Sequence, residues 1–199
     1  MNDFFIASDK CYPIYLGEHE YSIQQIKMKD FAEWIAVAEP IKQHLKTIDN
    51  DYMRLLVDLH DDCMGLIALV SDIPIDIVHR YVFEDISQIG AILGCIIDVN
   101  GAYFKEQECL SKNNENFGRI KASKKENNTW FDSFQCLVQA GHSHESIMNM
   151  NYGTFYKYIE AVEKQNTQQF MTNISAMRIA YHADAKGYQS FKNNMDRCL

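Results

Sequence analysis

The sequence predicts a mainly α protein: a short N-terminal β-hairpin with a helical bundle, then a linker and a second, smaller all-α module. Three observations point there. β-prone runs occur near the N-terminus, around Gly17-Glu18-His19-Glu20. From Asp30 onward, apolar residues recur at the three-to-four spacing of amphipathic helices. Only three prolines and nine glycines interrupt 199 residues, which leaves room for long helices.

Taken in order, Pro13–Leu16 and Tyr21–Ile26 form the two arms of the hairpin. Asp30 and Glu33 have the spacing of a capping box, with Asp in place of Ser or Thr. Phe31, Trp34, Ile35, Ala38, Ile41 and Leu45 then define a helix, and Pro40 is expected to kink or divide it. Tyr52, Leu55, Leu56, Leu59, Cys63, Leu66, Ile67 and Val70 form the clearest stripe, read as one helix. Its opposite face carries Arg54, Asp58, Asp61 and Asp62. Ser71-Asp72-Ile73-Pro74 stops it and starts a short helix through Tyr81. Glu84 and Asp85 suit the first turn of the next helix, where the dipole favours acids. That helix buries Ile86, Ile89, Leu93, Ile96 and Ile97, with Asn100 and Phe104 in phase. Asn100 is the odd member, because a polar group on an apolar seam is costly unless hydrogen-bonded. Further on, a helix from Trp130 to Ala140 ends at Gly141, a good residue just past a C-terminus. Ser143 and Asn151 can cap two more helices. The second carries Phe155, Tyr158, Ile159 and Val162. Phe170, Ile174, Met177 and Tyr181 continue a helical stripe, and Gly187 separates a last short segment.

The formal charge of −8 is unevenly spread. Residues 1–111 carry 8 basic and 19 acidic side chains, and residues 112–126 carry 5 and 2. Residues 127–199 carry 6 of each. The basic stretch is rich in Asn, Lys and Ser. It has too little apolar surface to offset its ordering entropy. The expected organisation is therefore an acidic domain (1–111), a basic linker (112–128) and a neutral all-α module (129–199).

Net acidity argues against general nucleic-acid binding. No stretch approaches the roughly 18 apolar residues of a membrane span. Met1–Lys10 lacks a basic n-region, so no signal peptide is expected and the protein is placed in the cytoplasm. The six cysteines form no CxxC pair and suit core thiols of a reducing compartment.

Motifs for nucleotides, nucleophilic serine or zinc proteolysis are missing from the sequence. His60 with Cys63 is the nearest approach to a metal pair, but zinc needs three or four ligands. His142-Ser143-His144-Glu145 reads better as a turn and helix cap than as a catalytic cluster. Asp58, Asp61, Asp62, Asp72 and Asp76 read as a solvated acidic face. Tyr152, Phe155, Tyr156 and Tyr158 fit core packing plus a protein-binding surface better than base stacking. No catalytic residue, cofactor or metal is expected.

This arrangement resembles the tail assembly chaperones of long-tailed bacteriophages, the G and G–T types of lambda-like phages. The residues carrying the resemblance begin with Leu16-Gly17 through Ser22-Ile23, then Lys29-Asp30-Phe31-Ala32-Glu33-Trp34. An acid-led helix follows and closes on Val99-Asn100-Gly101-Ala102-Tyr103-Phe104, where the family has Phe in place of Tyr103. In the second module they are Trp130, Gly141-His142-Ser143, Ile147, Met150, Phe155, Tyr158 and Ala161. Ala180 through Gly187 also resembles the family.

The resemblance implies a non-enzymatic chaperone that binds and solubilises the tape-measure protein and recruits tail-tube subunits. It implies a cytoplasmic role in the host and absence from the mature virion. Trp130, His142, Met150, Phe155 and Tyr158 become candidate partner-binding residues. Trp34, Asn100, Tyr103 and Phe104 become structural motif residues. Homo-oligomer formation stays open. In many such phages the longer form arises by frameshifting across the linker, and Lys124-Lys125 suits an A-rich slip site. The alternatives are another helical adaptor or regulator, and a metal-dependent enzyme using His60, Cys63 and His142 or His144.

Overall fold

A computed structural model describes residues 5, 8–49, 51–105, 130–182 and 184–195. The expected linker, with Lys124-Lys125, lies outside the described residues, as do Cys109 and Cys198. The fold is mainly helical with a small N-terminal β-hairpin. The chain divides into two units, Met1–Lys157 and Tyr158–Leu199.

β1 (Tyr12–Leu16) pairs antiparallel with β2 (His19–Ile23), with Leu16 opposite His19. Only Gly17 and Glu18 remain between them. Gly17 has φ 63° while Glu18 does not have a positive φ, the pattern of a type II′ hairpin turn. The turn is thus two residues long, and β2 starts and ends earlier than the expected 21–26.

Residues 24–26 instead connect to a 3-10 turn, Met28–Asp30, and then to α1 (Phe31–Leu45). The expected capping box is not formed: Asp30 makes no side-chain cap bond, because the 3-10 turn already leads into the helix. Pro40 does not divide α1. Pro40 and Ala36 both lie on the exposed face, so the carbonyl that loses its N–H partner can turn to water.

The stripe read as one helix is broken at Leu59 into α2 (Tyr52–Asp58) and α3 (His60–Val70). Leu59 has φ −130° and ψ 51°, outside helical values. Its N–H still reaches Leu55 O, and its carbonyl still accepts from Cys63 N–H. The bend lets α2 pack on the helix Ile86–Val99 while α3 packs on α1. α4 (Ile75–Glu84) precedes α5 (Ile86–Val99), which Asp85 caps by accepting from Ser87 N–H at 3.2 Å. Hydrogen bonds from Ser87 and Gln88 hold the Asp85 carboxyl below its usual range. α5 is the central helix, with Ile89, Leu93 and Ile96 fully buried. It approaches α2 closely: a Cβ on Gly94 would sit 2.9 Å from the Tyr52 ring. α6 (Gly101–Phe104) follows directly.

The same unit contains α7 (Trp130–Gln139) and α8 (His144–Asn149). α7 ends as expected at Gly141, with φ 98°. His142 N–H reaches Leu137 O and Gly141 N–H reaches Val138 O, each at 3.0 Å. This is the Schellman arrangement, which satisfies two terminal carbonyls. Ser143 caps α8 by accepting from Ser146 N–H at 3.1 Å. Asn151 starts α9 (Tyr152–His182) by accepting from Thr154 N–H at 2.8 Å. The boundary between the units falls within α9. The second unit holds the remainder of α9 and α10 (Ala185–Met195). Among the described residues, no helix is long and apolar enough to cross a membrane.

Candidate functional site

The segment from Ser22 to Met28 carries backbone groups that no regular sheet satisfies. Neighbouring elements take them one by one. Ser22 donates through N–H and Oγ to the Asp72 carboxylate at 2.7 and 2.9 Å, and Asp72 N–H returns to Ser22 O. Gln24 N–H reaches Val70 O at 2.7 Å. Ile26 N–H donates to Asn100 Oδ1 at 2.8 Å. Met28 N–H donates to Met150 O, and Tyr152 N–H donates to Ile26 O. One extended segment therefore ties α3, α5 and the α8–α9 junction together.

Asn100 is the central clamp. Besides accepting from Ile26, its Nδ2 donates to Ile96 O at 3.1 Å and Gln24 O at 3.3 Å. One N–H faces Oδ1 and two carbonyls face Nδ2, so the amide orientation is determined by its partners. Its backbone carbonyl accepts from Tyr103 N–H and opens α6. The polar residue on the apolar seam is thus hydrogen-bonded where it is buried.

An aromatic cluster lies beside this clamp. Phe31 is its hub. It stacks on Tyr152 with centroids 4.8 Å apart and planes 9° apart, and meets Trp130 edge-on at 5.0 Å. Tyr103 approaches the same ring at 5.9 Å. Trp34, fully buried, meets Tyr103 and Phe104 edge-on, each at 5.7 Å. Trp130, Phe134 and Phe155 extend the cluster. Such offset and edge-on pairs each add about 0.5–1.5 kcal/mol beyond their buried area.

Sequence-selected residues from both halves of the chain therefore meet here. Trp34, Asn100 and Tyr103 are buried, and Phe104 is half-buried. Phe155 is buried, while Trp130 keeps 48% of its surface exposed. Met150 is half-buried and uses its carbonyl on Met28. His142 is half-buried and completes the α7 terminus. Tyr158, in the second unit, is exposed. Reading by periodicity missed the roles of Phe31 and Tyr152, which bring the two motif sets together.

Tyr103 is also held by polar contacts. Its hydroxyl donates to Glu39 Oε2 at 2.7 Å, and Lys42 Nζ donates to Tyr103 O at 2.6 Å. Burial, and then the bond to Glu39, push the phenol well above its ordinary value of 10. Hydrogen bonds from Tyr103 and then Gln43 hold the Glu39 carboxyl below its ordinary value. A raised folded-state phenol stabilises fully below the unfolded value. That contribution is lost as pH climbs past about 10, where the unfolded chain ionises first. Thermal melts should therefore fall above pH about 10. Tyr103→Phe should fall less steeply there while losing some stability at pH 7. An unchanged alkaline slope would sink this account.

The candidate metal pair goes two ways. Cys63 is fully buried with Sγ directed at Leu55 O, and burial pushes its thiol up to about 12. His60 stacks on His79 at 6.1 Å and pairs with Asp61 at 3.2 Å. Among the described residues, no three His, Cys, Asp or Glu side chains are grouped to hold a metal. His144 is exposed beside the Phe134 ring.

Comparison with protein-family models, curated proteins and solved structures finds no match in any of the three.

Proposed function

We propose that this chain is a non-enzymatic tail assembly chaperone of the lambda-like type. It binds and solubilises the tape-measure protein and recruits tail-tube subunits. It acts in the host cytoplasm and does not remain in the mature virion.

The observation that carries this reading is the outer edge of α7. Trp130, the Trp of the resembling motif, is anchored on Phe31 yet half exposed. Phe131 and Val138 lie exposed beside it on the same helix. At 100° per residue the three fall within an arc of about 100°, the width of an apolar face that a partner helix covers. The first unit that presents this face carries 14 basic and 23 acidic side chains. That excess charge keeps a complex with an apolar client soluble.

Co-expression with the tape-measure protein of the same phage tests the reading. The client is expected to become soluble and to co-purify. Phe131→Glu with Val138→Glu changes only exposed side chains and should reduce the recovered client about tenfold or more. A client that remains insoluble and unbound beside the wild-type chain defeats the proposal.

A further inference from the structure

The second unit presents an apolar stripe of its own. Phe170, Ile174, Met177 and Tyr181 of α9 are 64%, 43%, 60% and 80% exposed. At 100° per residue they fall within an arc of about 60° and span roughly 16 Å of helix. Their 4-3-4 spacing is the 3.5-residue repeat of a coiled-coil seam. On the N-terminal side the same face continues as Thr167 and Glu163, so the seam stops there. The side chains are too regular to be scattered surface residues and too exposed to be core.

We infer that this stripe pairs with the same stripe of a second copy of the chain, in antiparallel orientation. The inference stands apart from the chaperone reading and uses none of the α7 residues proposed there to meet the client. Its first support is self-complementarity. A 4-3-4 spacing reads the same in both directions. A two-fold axis between Ser175 and Ala176 therefore sets Phe170 opposite Tyr181 of the other copy, and Ile174 opposite Met177. Such a contact is isologous, with each residue of the stripe and its opposite number exchanging roles across the axis.

Charge supplies the second support and selects the direction. Residues 158–199 hold 5 basic and 4 acidic side chains, so two such segments meet without strong repulsion. Residues 1–157 carry a net −9. A parallel pair would bring these acidic units side by side. In the antiparallel pair, the two residues 158 lie roughly 50 Å apart along the helices. That is several times the Debye length of about 8 Å at physiological salt. Four side chains per copy bury less than the roughly 1,200 Å² of a standard interface, so the expected dissociation constant is micromolar.

Sedimentation equilibrium of the full chain, from about 1 to 200 µM, brackets such a constant. A reversible monomer–dimer equilibrium is expected. Ile174→Glu with Met177→Glu should weaken it about 100-fold or more. Thr172→Glu, on the opposite face, should leave it unchanged. Phe170→Lys alone should weaken pairing, and adding Tyr181→Glu should restore it, because those positions face each other only in the antiparallel pair. Far-UV circular dichroism checks that helix content is kept. A wild-type chain that stays monomeric overturns the inference, as does a dimer indifferent to Ile174→Glu with Met177→Glu. Failure of Tyr181→Glu to rescue overturns the antiparallel arrangement.

Discussion

Phe31→Ala should lower unfolding stability by about 3–5 kcal/mol, the range for truncating a buried phenylalanine. The ring is buried and touches Tyr152, Trp130 and Tyr103. These partners lie on α9, α7 and α6, so the substitution removes one wall of three contacts. Against a typical total of 5–15 kcal/mol, that is a large share. Phe31→Leu keeps most of the volume but not the ring, and should cost less than about 1.5 kcal/mol from packing plus the lost stacking.

The consequence is also regional. Residues 130–157 belong to the first unit, and their links to its earlier elements include the Phe31 ring, the Tyr103–Tyr152 pair and two backbone bonds. Phe31→Ala should therefore expose α7 and α8 to protease before the core helices open. Both tryptophans, Trp34 and Trp130, belong to the cluster, so their emission reports the loss. Denaturant midpoints, limited proteolysis and fluorescence together make the check. A midpoint within experimental error of wild type would mean that the ring is not the hub its contacts indicate.

How much of this was legible in the sequence follows from what periodicity can carry. It identifies a helix and the face it buries, because 3.6 residues per turn leaves a stripe. The stripe of α5 was visible for that reason, and the termini at Gly141, Ser143 and Asn151 from the residue types that cap helices. Periodicity does not say what the buried face meets. Phe31 was visible as a member of a stripe, and its partners Trp130 and Tyr152 lie about a hundred residues away. The break at Leu59 leaves the apolar spacing intact, so the stripe alone could not show it. Asp72 looked like part of a solvated acidic face, yet its carboxylate anchors Ser22. Asn100 was legible as an anomaly, since a polar residue on an apolar seam demands partners. Which partners they were depended on a segment some seventy-five residues earlier in the chain.

Asn100→Ala should cost about 2–4 kcal/mol, more than its small volume suggests. Ile26 is buried, and its N–H would lose the Asn100 acceptor. Ile96 O would lose its second donor but keep the Asn100 N–H. Gln24 is exposed, so its carbonyl can turn to solvent. Most of the penalty therefore falls on the Ile26 N–H. Asn100→Asp separates this account from simple cavity formation. It retains the acceptor for Ile26 but replaces a donor with an oxygen facing two carbonyls. At pH 7 the buried carboxylate should be at least as damaging as alanine. Its folded-state pKa should be raised, so protonation restores a donor and relieves the loss. The Asn100→Asp deficit relative to wild type should then shrink as pH falls, and be smallest below about 3.9, the unfolded value for Asp. Asn100→Ala should show no such recovery. Parallel denaturation series between pH 7 and acid read both effects, and equal pH profiles for the two variants would remove the hydrogen-bond clamp from the explanation.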